Sequence, residues 1–318
     1  MRYVHKEKFL GYSFFMKKKT PLVSIIVNCY NGEKHLEKCL NSVINQTYTN
    51  WEIIFWDNKS FDKSKKIFFR FANDKRFKYF FAEKFTTLYK ARNLALQKSQ
   101  GEILTFLDVD DFWLPTKLEQ QVNVFLQYKD INLVYSNYFN LKNFFLFKIF
   151  LKNKNKLHSG MICNDLLRNY CVSWLTVAIR NNNKIKKKLF NEKLDLVSDY
   201  DFVIRFSLRN KIFSINDYLA VYRQHADQLT RKKFHEQANH YCNWYNMIKK
   251  NKKINKMSNF KFLKNRYNFY HSIKFISSKK YLSEKLIYIF KIKDVNLKLK
   301  LFLFFLFPNI FVKYIMSI

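Results

Sequence analysis

Glu102-Ile-Leu-Thr-Phe-Leu-Asp108-Val-Asp110-Asp111 is the stretch on which the reading of this chain turns. Ile103 to Leu107 is a short apolar run, of the kind that suits a strand covered by helices on both faces. It stops at three carboxylates, Asp108, Asp110 and Asp111. Acids just past such a strand sit at the carboxyl edge of an open α/β sheet, where ligands bind. Asp108 and Asp110 project to the same side of an extended chain, because side chains alternate. Gathered carboxylates repel one another unless a cation or a proton relieves them. Mn2+ or Mg2+ carrying a phosphate answers that need, since both take oxygen ligands and leave positions for substrate. A polar strand-to-helix turn with Asp111 near an N-cap is the plainer reading of the same residues.

The same pattern repeats on either side. Leu22–Val27 is an apolar run ending in Asn28-Cys29-Tyr30-Asn31-Gly32, and a helix over Glu33–Gln46 puts Leu36, Leu40, Val43 and Ile44 on one face. Trp51–Trp56 runs into Asp57-Asn58-Lys59-Ser60, followed by a helix from Asp62 to Phe71 and a third strand over Phe77–Ala82. Thr87–Ser99 reads as a helix carrying Arg92 and Asn93, with Gly101 closing it as C′ residue. Pro115 opens a helix over Thr116–Tyr128 in its favoured first position, and Leu133–Phe139 is a further strand. This alternation predicts an α/β fold with a Rossmann-like, mostly parallel central sheet flanked by helices. Asn28, Asp57 and Asp108 then fall on one edge of it.

Composition sets the outer limits. The 318 residues are 48% hydrophobic, ample for a core, and 35 Phe with 20 Tyr make that core aromatic. With four Gly and three Pro the chain is not a low-complexity or linker-rich one. Lys and Arg (58) exceed Asp and Glu (24), for a formal net charge of +34. Such an excess suits nucleic acid or an anionic membrane surface; the joint preference for Lys, Asn, Phe, Ile and Tyr is equally what an AT-rich genome produces. Cys29, Cys39, Cys163, Cys171 and Cys242 never form a C-x-x-C pair, which argues for a reducing compartment without a zinc site or disulfide framework. Met1–Thr20 holds a short apolar patch, Phe9–Met16, followed by three lysines and no small-residue cleavage site, so it reads as a cytosolic extension.

The second half is less regular. Leu141–Leu157 interleaves Phe and Lys and reads as a membrane-facing loop or helix, or as an ordinary packed helix. A helix over Met161–Asn169, an extended Val172–Arg180 and a basic turn at Lys184–Lys188 follow. Ser198-Asp199-Tyr200-Asp201 precedes an apolar run, and Ser-x-x-Asp in that place is a capping-box pattern. Asp199 is then left in the first helical turn without a structural partner. It suits a general base taking a proton from a hydroxyl, or simply complements the helix dipole. Leu219–Tyr222 is a short strand leading to Arg223-Gln224-His225, and one imidazole added to Asp110 and a diphosphate makes a fitting Mn2+ or Mg2+ set.

Together these segments resemble the family 2 glycosyltransferases of GT-A fold. The resemblance rests on Leu22-Val-Ser-Ile-Ile-Val-Asn-Cys-Tyr-Asn31 with Gln46, Trp51–Asp57 with Ser60 and Asp62, and Ala91-Arg-Asn93. It continues through Gly101–Asp111, Pro115-x-Lys117-Leu-Glu119, Ile179-Arg180, Leu189–Leu194, Asp199-Tyr-Asp201, Arg205 and Leu219-x-x-Tyr222-Arg223-x-His225, covering Pro21 to Leu229. It implies that Asn28, Tyr30, Asn31, Glu33, Asp57 and Asn58 hold the base and ribose of a nucleotide-diphosphate sugar, UDP-linked first of all. Tyr30 would lie against the base and Asp57 would accept from its ring N–H. Arg92 and Asn93 would help to seat the nucleotide, the Asp108-Val109-Asp110 segment would meet ribose and diphosphate, Asp110 and His225 would bind the metal, and Asp199 would be the base of a single inverting displacement. The family's usual first-loop Pro is Asn28 here, its second Asp in the next loop is Asn58, its Gly is Lys59, and the Glu before the base is Ser198. A metal and one base suffice for such chemistry, since a diphosphate departs from an oxocarbenium-like centre as the acceptor hydroxyl attacks.

Residues 231–318 form a basic extension with helical pieces at Phe260–Ile276 and Tyr281–Phe290, ending in the apolar Leu301–Phe307. That run falls short of the ~20 residues that span a bilayer. Its flanking lysines suit an interfacial helix on an anionic leaflet, and packing on the catalytic domain is the alternative. The expected organisation is an extension over 1–20, a GT-A domain over 21–230 with a nucleotide-binding half at 21–140 and an acceptor half at 141–230, and the helical extension. The expected protein is a metal-dependent inverting glycosyltransferase, peripheral on the inner face of the cell membrane. It would act on a glycan or lipid-linked acceptor in bacterial surface polysaccharide synthesis, with no nucleic acid partner. Rival readings are a basic nucleic-acid-binding protein and a family member that binds nucleotide sugar without transferring it.

Overall fold

A computed structural model describes residues 20–306 except 145–146, 183–184, 186–187, 226, 279–280 and 293–294. The expected extension at Met1–Thr20, all but its last residue, and most of the Lys184–Lys188 turn lie outside the described residues. Each apolar run of the first half is a strand: β1 (Val23–Cys29), β2 (Trp51–Asp57), β3 (Phe77–Phe81) and β4 (Ile103–Phe106). They lie in the order β3-β2-β1-β4 and are parallel throughout. Helices α1 (Glu33–Ile44), α2 (Ser64–Phe69) and α3 (Leu88–Gln97) make the crossovers. Every residue of β2 is buried, because the sheet is covered on both faces, by one apolar cluster that includes Ile54, Leu104 and Phe106 and another that includes Ile53, Phe55 and Leu36.

Beyond β4 the sheet becomes mixed. The remaining strands are β5 (Phe112–Trp113), β6 (Ile131–Phe144), β7 (Phe147–Lys152), β8 (Ala178–Arg180) and β9 (Lys211–Gln224), in the order β4-β8-β6-β9-β5 with β7 beside β6. Only β6 and β9 are parallel in this half. The Phe- and Lys-rich segment after Leu141 is therefore not a helix. It is a β-hairpin in which Phe139–Phe144 pairs with Phe147–Lys152, with Leu141 buried and Phe150 exposed. Val172–Arg180 is a 3-10 turn (Trp174–Thr176) followed by the short β8, not one extended run.

Two local readings change for the same reason, a distant partner. Gly101 does not close α3, which ends at Gln97, and it has no positive φ. Its amide donates to Ser24 Oγ at 2.7 Å, and a Cβ there would stand 2.6 Å from the Ser24 backbone nitrogen. Gly101→Ala is expected to lower stability by roughly 2 kcal/mol through overpacking against a central strand; an unchanged midpoint in denaturant unfolding would contradict this. Pro115 precedes the N-cap of α4 (Lys117–Gln127) instead of opening it, and its carbonyl accepts from Thr47 N at 2.9 Å.

Both helical pieces expected of the extension, Phe260–Ile276 and Tyr281–Phe290, are present with small changes of bounds, and a helix the sequence reading did not place, over Phe234–Ile248, precedes them. After α5 (Cys163–Arg168) and α6 (Ser198–Ser207) come α7 (Phe234–Ile248), α8 (Phe260–Ser278), α9 (Leu282–Phe290) and α10 (Val295–Leu306). Leu301 and Phe304 of α10 are buried against Phe234, Ile273, Ile276 and Ile289, so the apolar C-terminal run is a packed helix on one face. Its other face and that of α9 leave Leu299, Leu306, Ile287 and Phe290 exposed. Among the described residues no helix is long and apolar enough to cross a membrane.

Candidate active site

A cavity of about 520 Å3 opens where the two halves of the sheet meet, and Arg92, Asp108, Asp110, Asp111 and Asp199 all line it. The acids come from the loop after β4, Arg92 from α3 and Asp199 from the first turn of α6. Three segments far apart in sequence thus share one cleft.

Asp111 does not cap a helix. It is buried and accepts from the backbone N of Arg223 at 2.8 Å, while Arg223 Nε donates to the Asp110 carbonyl at 2.8 Å. These bonds fasten the acidic loop to the end of β9. Burial, with Asp110 and Asp108 nearby, pushes the Asp111 carboxyl well up. The same fastening brings His225 to the loop, with Nε2 2.9 Å from Asp110 Oδ2. Asp108 is held differently: buried Arg92 donates to its Oδ1 at 2.5 Å. Burial opposes the charge on Arg92, yet Asp108, Tyr89 and Asp199 together outweigh it and the guanidinium pKa is raised.

Asp199 stands partly exposed on the cleft. Its pKa is raised by burial, against lowering by Arg92 and by the hydrogen bond from Tyr89. The capping box is absent: Ser198 Oγ accepts from Asn191 N at 2.7 Å, and α6 has no side-chain cap. Asp201 is fully buried and accepts from Trp244 Nε1 at 3.0 Å and from Arg205 Nε and a terminal guanidinium nitrogen at 2.8 and 2.6 Å. Pairing with groups across the fold has displaced a local cap.

The remaining residues singled out in the sequence sit along the neighbouring sheet edge. Asn28, at the end of β1, has both side-chain polar atoms buried without a partner. Tyr30 is half-exposed and packs on Phe61 and Phe85, with ring centroids 6.1 and 4.7 Å away. Asn31 Oδ1 accepts from Phe61 N, and Glu33 Oε2 from Lys63 N, so both tie the first loop to the second. Asp57 is fully buried and already accepts from Ser60 N and Tyr79 Oη at 2.7 Å each. Val109 packs against Gly32, where a Cβ would meet its Cγ2 at 3.0 Å. Two side chains are committed to loops: Asn58 bonds Thr86, and Asn93 bonds Phe190 and Glu192. Lys59 has φ 72°, in the left-handed region, which accounts for the Gly that the family prefers. Lys59→Gly is therefore expected to stabilise the fold by about 1 kcal/mol, read as a higher denaturant midpoint; a lower midpoint would show that the lysine compensates elsewhere.

Three contributors escaped the sequence reading. Tyr89 lies one helical turn before Arg92, a spacing that puts both on one face and could have been noticed. Arg223 stands two residues before His225, a spacing that alternation along an extended chain puts on one side. His35, whose ring centroid is 5.4 Å from that of His225, gave no signal. Burial, then Arg223, His225 and Lys34, lower its pKa to about 4.

Among the described residues no three His, Cys, Asp or Glu side chains gather as a metal cage. The donors that exist nonetheless fit Mn2+ or Mg2+. Asp110 and His225 face each other across 2.9 Å, and such ions commonly take the rest of their ligands from phosphate and water.

The chain has the GT-A fold. Its structure resembles that of S. aureus TarS 1-349 in complex with UDP, with a TM-score of 0.61, 18% identity and coverage of 88% of this chain and 80% of that one. It also resembles the mannosyltransferase PcManGT from Pyrobaculum calidifontis in complex with GDP-Man and Mn2+, with a TM-score of 0.57, 15% identity and coverage of 94% and 86%. The model of Glycosyl transferase family 2 matches residues 24–229, and the chain belongs to that family. A curated relative is the Escherichia coli UDP-Glc:alpha-D-GlcNAc-diphosphoundecaprenol beta-1,3-glucosyltransferase WfgD, 34% identical over 158 residues, which are 50% of this chain and 60% of WfgD. The chain thus spans less than two thirds of that relative's length.

Proposed function

We propose that this protein is a metal-dependent, inverting glycosyltransferase that moves a sugar from a nucleotide diphosphate, UDP first of all, to an acceptor hydroxyl. The observation that carries the reading is that Asp110, 2.9 Å from His225, lines the same cleft as Asp199. The Asn28 side chain, buried and without partners at the sheet edge, is a ready contact for the nucleotide, and Tyr30 offers a ring for its base. Asp57 contributes by fixing the loop that follows β2. Arg92 keeps Asp108 oriented and its charge compensated. Asp110 and His225 would hold Mn2+ or Mg2+, which when bound offsets the negative charge on the departing diphosphate. Asp199 takes the proton of the acceptor hydroxyl, with the Tyr89 hydroxyl orienting its carboxylate. A base on the side opposite the leaving group gives inversion.

On this reading residues 21–230 are the catalytic unit and 231–318 an extension that seats it on the inner face of the cell membrane. Between residues 249 and 300 the extension carries 16 Lys and Arg against two acids. That charge, with Leu299, Leu306, Ile287 and Phe290 exposed beside it, suits an anionic leaflet. A lipid-linked glycan such as the one in the name of WfgD is the acceptor to try first.

The test is thermal stabilisation by UDP-glucose, UDP-GlcNAc and GDP-mannose, each with and without Mn2+. At 100 times its Kd the right donor should add about 2.7 kcal/mol. Most of that gain should require the metal, and Asp110→Ala should remove the metal-dependent part. A chain that no nucleotide diphosphate stabilises in Mn2+ would end this reading.

A further inference from the structure

We propose that Phe234, Gln237 and Tyr270, contributed by α7 and α8 beyond the matched family region, form with Trp174 the acceptor subsite, and that it takes an uncharged sugar unit. The inference rests on the glycosyl-transfer reading and names the substrate class of the same cleft.

All four residues line the cavity that Asp199 lines. The wall they make is built in register with Asp199, because the extension grips the two residues that follow it. Trp244 of α7 donates to Asp201, and Arg266 of α8 donates to Tyr200 Oη at 2.8 Å. Tyr270 packs at a tilt against Tyr241 of α7, 4.5 Å between centroids, and Phe234 packs against Phe304 at 5.9 Å. The wall is therefore fixed before an acceptor arrives, which is what a positioning surface requires.

Its chemistry selects the acceptor. The cavity's lining sets aromatic rings and amides beside the acids and Arg92. The amides include Gln237, Gln228, Asn140 and Asn155, which offer donors and acceptors together, as a sugar's hydroxyls need. The indole N–H of Trp174 is buried without a partner. Aromatic faces supply apolar area for the C–H face of a pyranose. In a chain with 58 Lys and Arg, the only cation among the described lining residues is Arg92, already paired with Asp108. A uronate or phosphorylated sugar here would meet Asp199 and the acidic loop with no cation beyond the one already paired, so the site rejects anions by repulsion.

The experiment measures transfer from each nucleotide sugar named above, in Mn2+, to methyl and octyl glycosides of glucose, galactose and N-acetylglucosamine, with the corresponding glucuronides as anionic counterparts. The expected result is at least about 10-fold preference for a neutral glycoside over its uronide, with Gln237→Ala raising the acceptor KM about 10-fold and moving the donor KM by less, as loss of one hydrogen bond to the acceptor requires. Gln237→Arg should narrow the preference by supplying a cation. Uronides used as well as neutral glycosides, an acceptor KM untouched by both substitutions, or donor hydrolysis that no neutral glycoside diverts would overturn the subsite and leave glycosyl transfer standing. If no nucleotide sugar is consumed or bound at all, the function itself fails, and the subsite with it.

Discussion

Exchanging Asp199 for Asn is expected to slow glycosyl transfer by about 10²–10⁴-fold, the usual worth of a positioned general base. The same exchange should raise the melting temperature. The sign follows from linkage: burial raises the folded-state pKa of Asp199 above its unfolded value. Such an acid adds no penalty below the unfolded pKa and a full one above the folded pKa, so at neutral pH it destabilises the fold. Asn removes the charge and keeps the shape. On the proposed mechanism transfer needs the ionised form, so the acid limb of the kcat profile should be shifted upward from the ordinary aspartate value and vanish in the variant. A misfolded protein would lose activity and Tm together. Near-normal transfer by Asp199→Asn, with Asp201→Asn inactive, would move the base two residues along.

The second large effect concerns the joint between catalytic unit and extension. Trp244 is completely buried and its indole N–H donates to Asp201, itself completely buried. Trp244→Phe removes that donor and leaves a buried carboxylate oxygen unpaired, at a cost of about 3 kcal/mol. Adding Asp201→Asn should recover part of the loss, since a neutral amide tolerates the missing donor better. A double-mutant cycle should give a coupling of at least about 1 kcal/mol; strict additivity would mean that the bond does nothing for stability.

How much of this was legible in the sequence follows from the range of each signal. The strands and the acids at their ends are local: an apolar run, then Asn28, Asp57 or Asp108, repeated with helices between. Asp199 and His225 were legible as spare polar groups after strands or before a helix. Gly101 and Ser198 misled because each fits a local rule, a C′ glycine and a capping box, while its actual partner lies elsewhere. For Gly101 that partner is Ser24, 77 positions away. For Asp201 it is Trp244, 43 positions on. The hairpin of β6 and β7 hid for a related reason. Its Phe and Lys residues show no clean alternation, and the pairing of β6 with β9 that extends it is a long-range choice. Asn58 and Asn93 illustrate the limit of a motif: their loops bond the amides, which only coordinates reveal.

The link between the acidic loop and the end of β9 joins residues 112 to 115 positions apart. A chain still emerging from the ribosome owns Asp108, Asp110 and Asp111 long before it owns Arg223 and His225. Until β9 docks, the acidic loop has neither the imidazole nor the Arg223 latch that fastens it. If the site holds Mn2+ as proposed, tight uptake of the ion would therefore follow the docking of β9 and would be lost early if that strand frays.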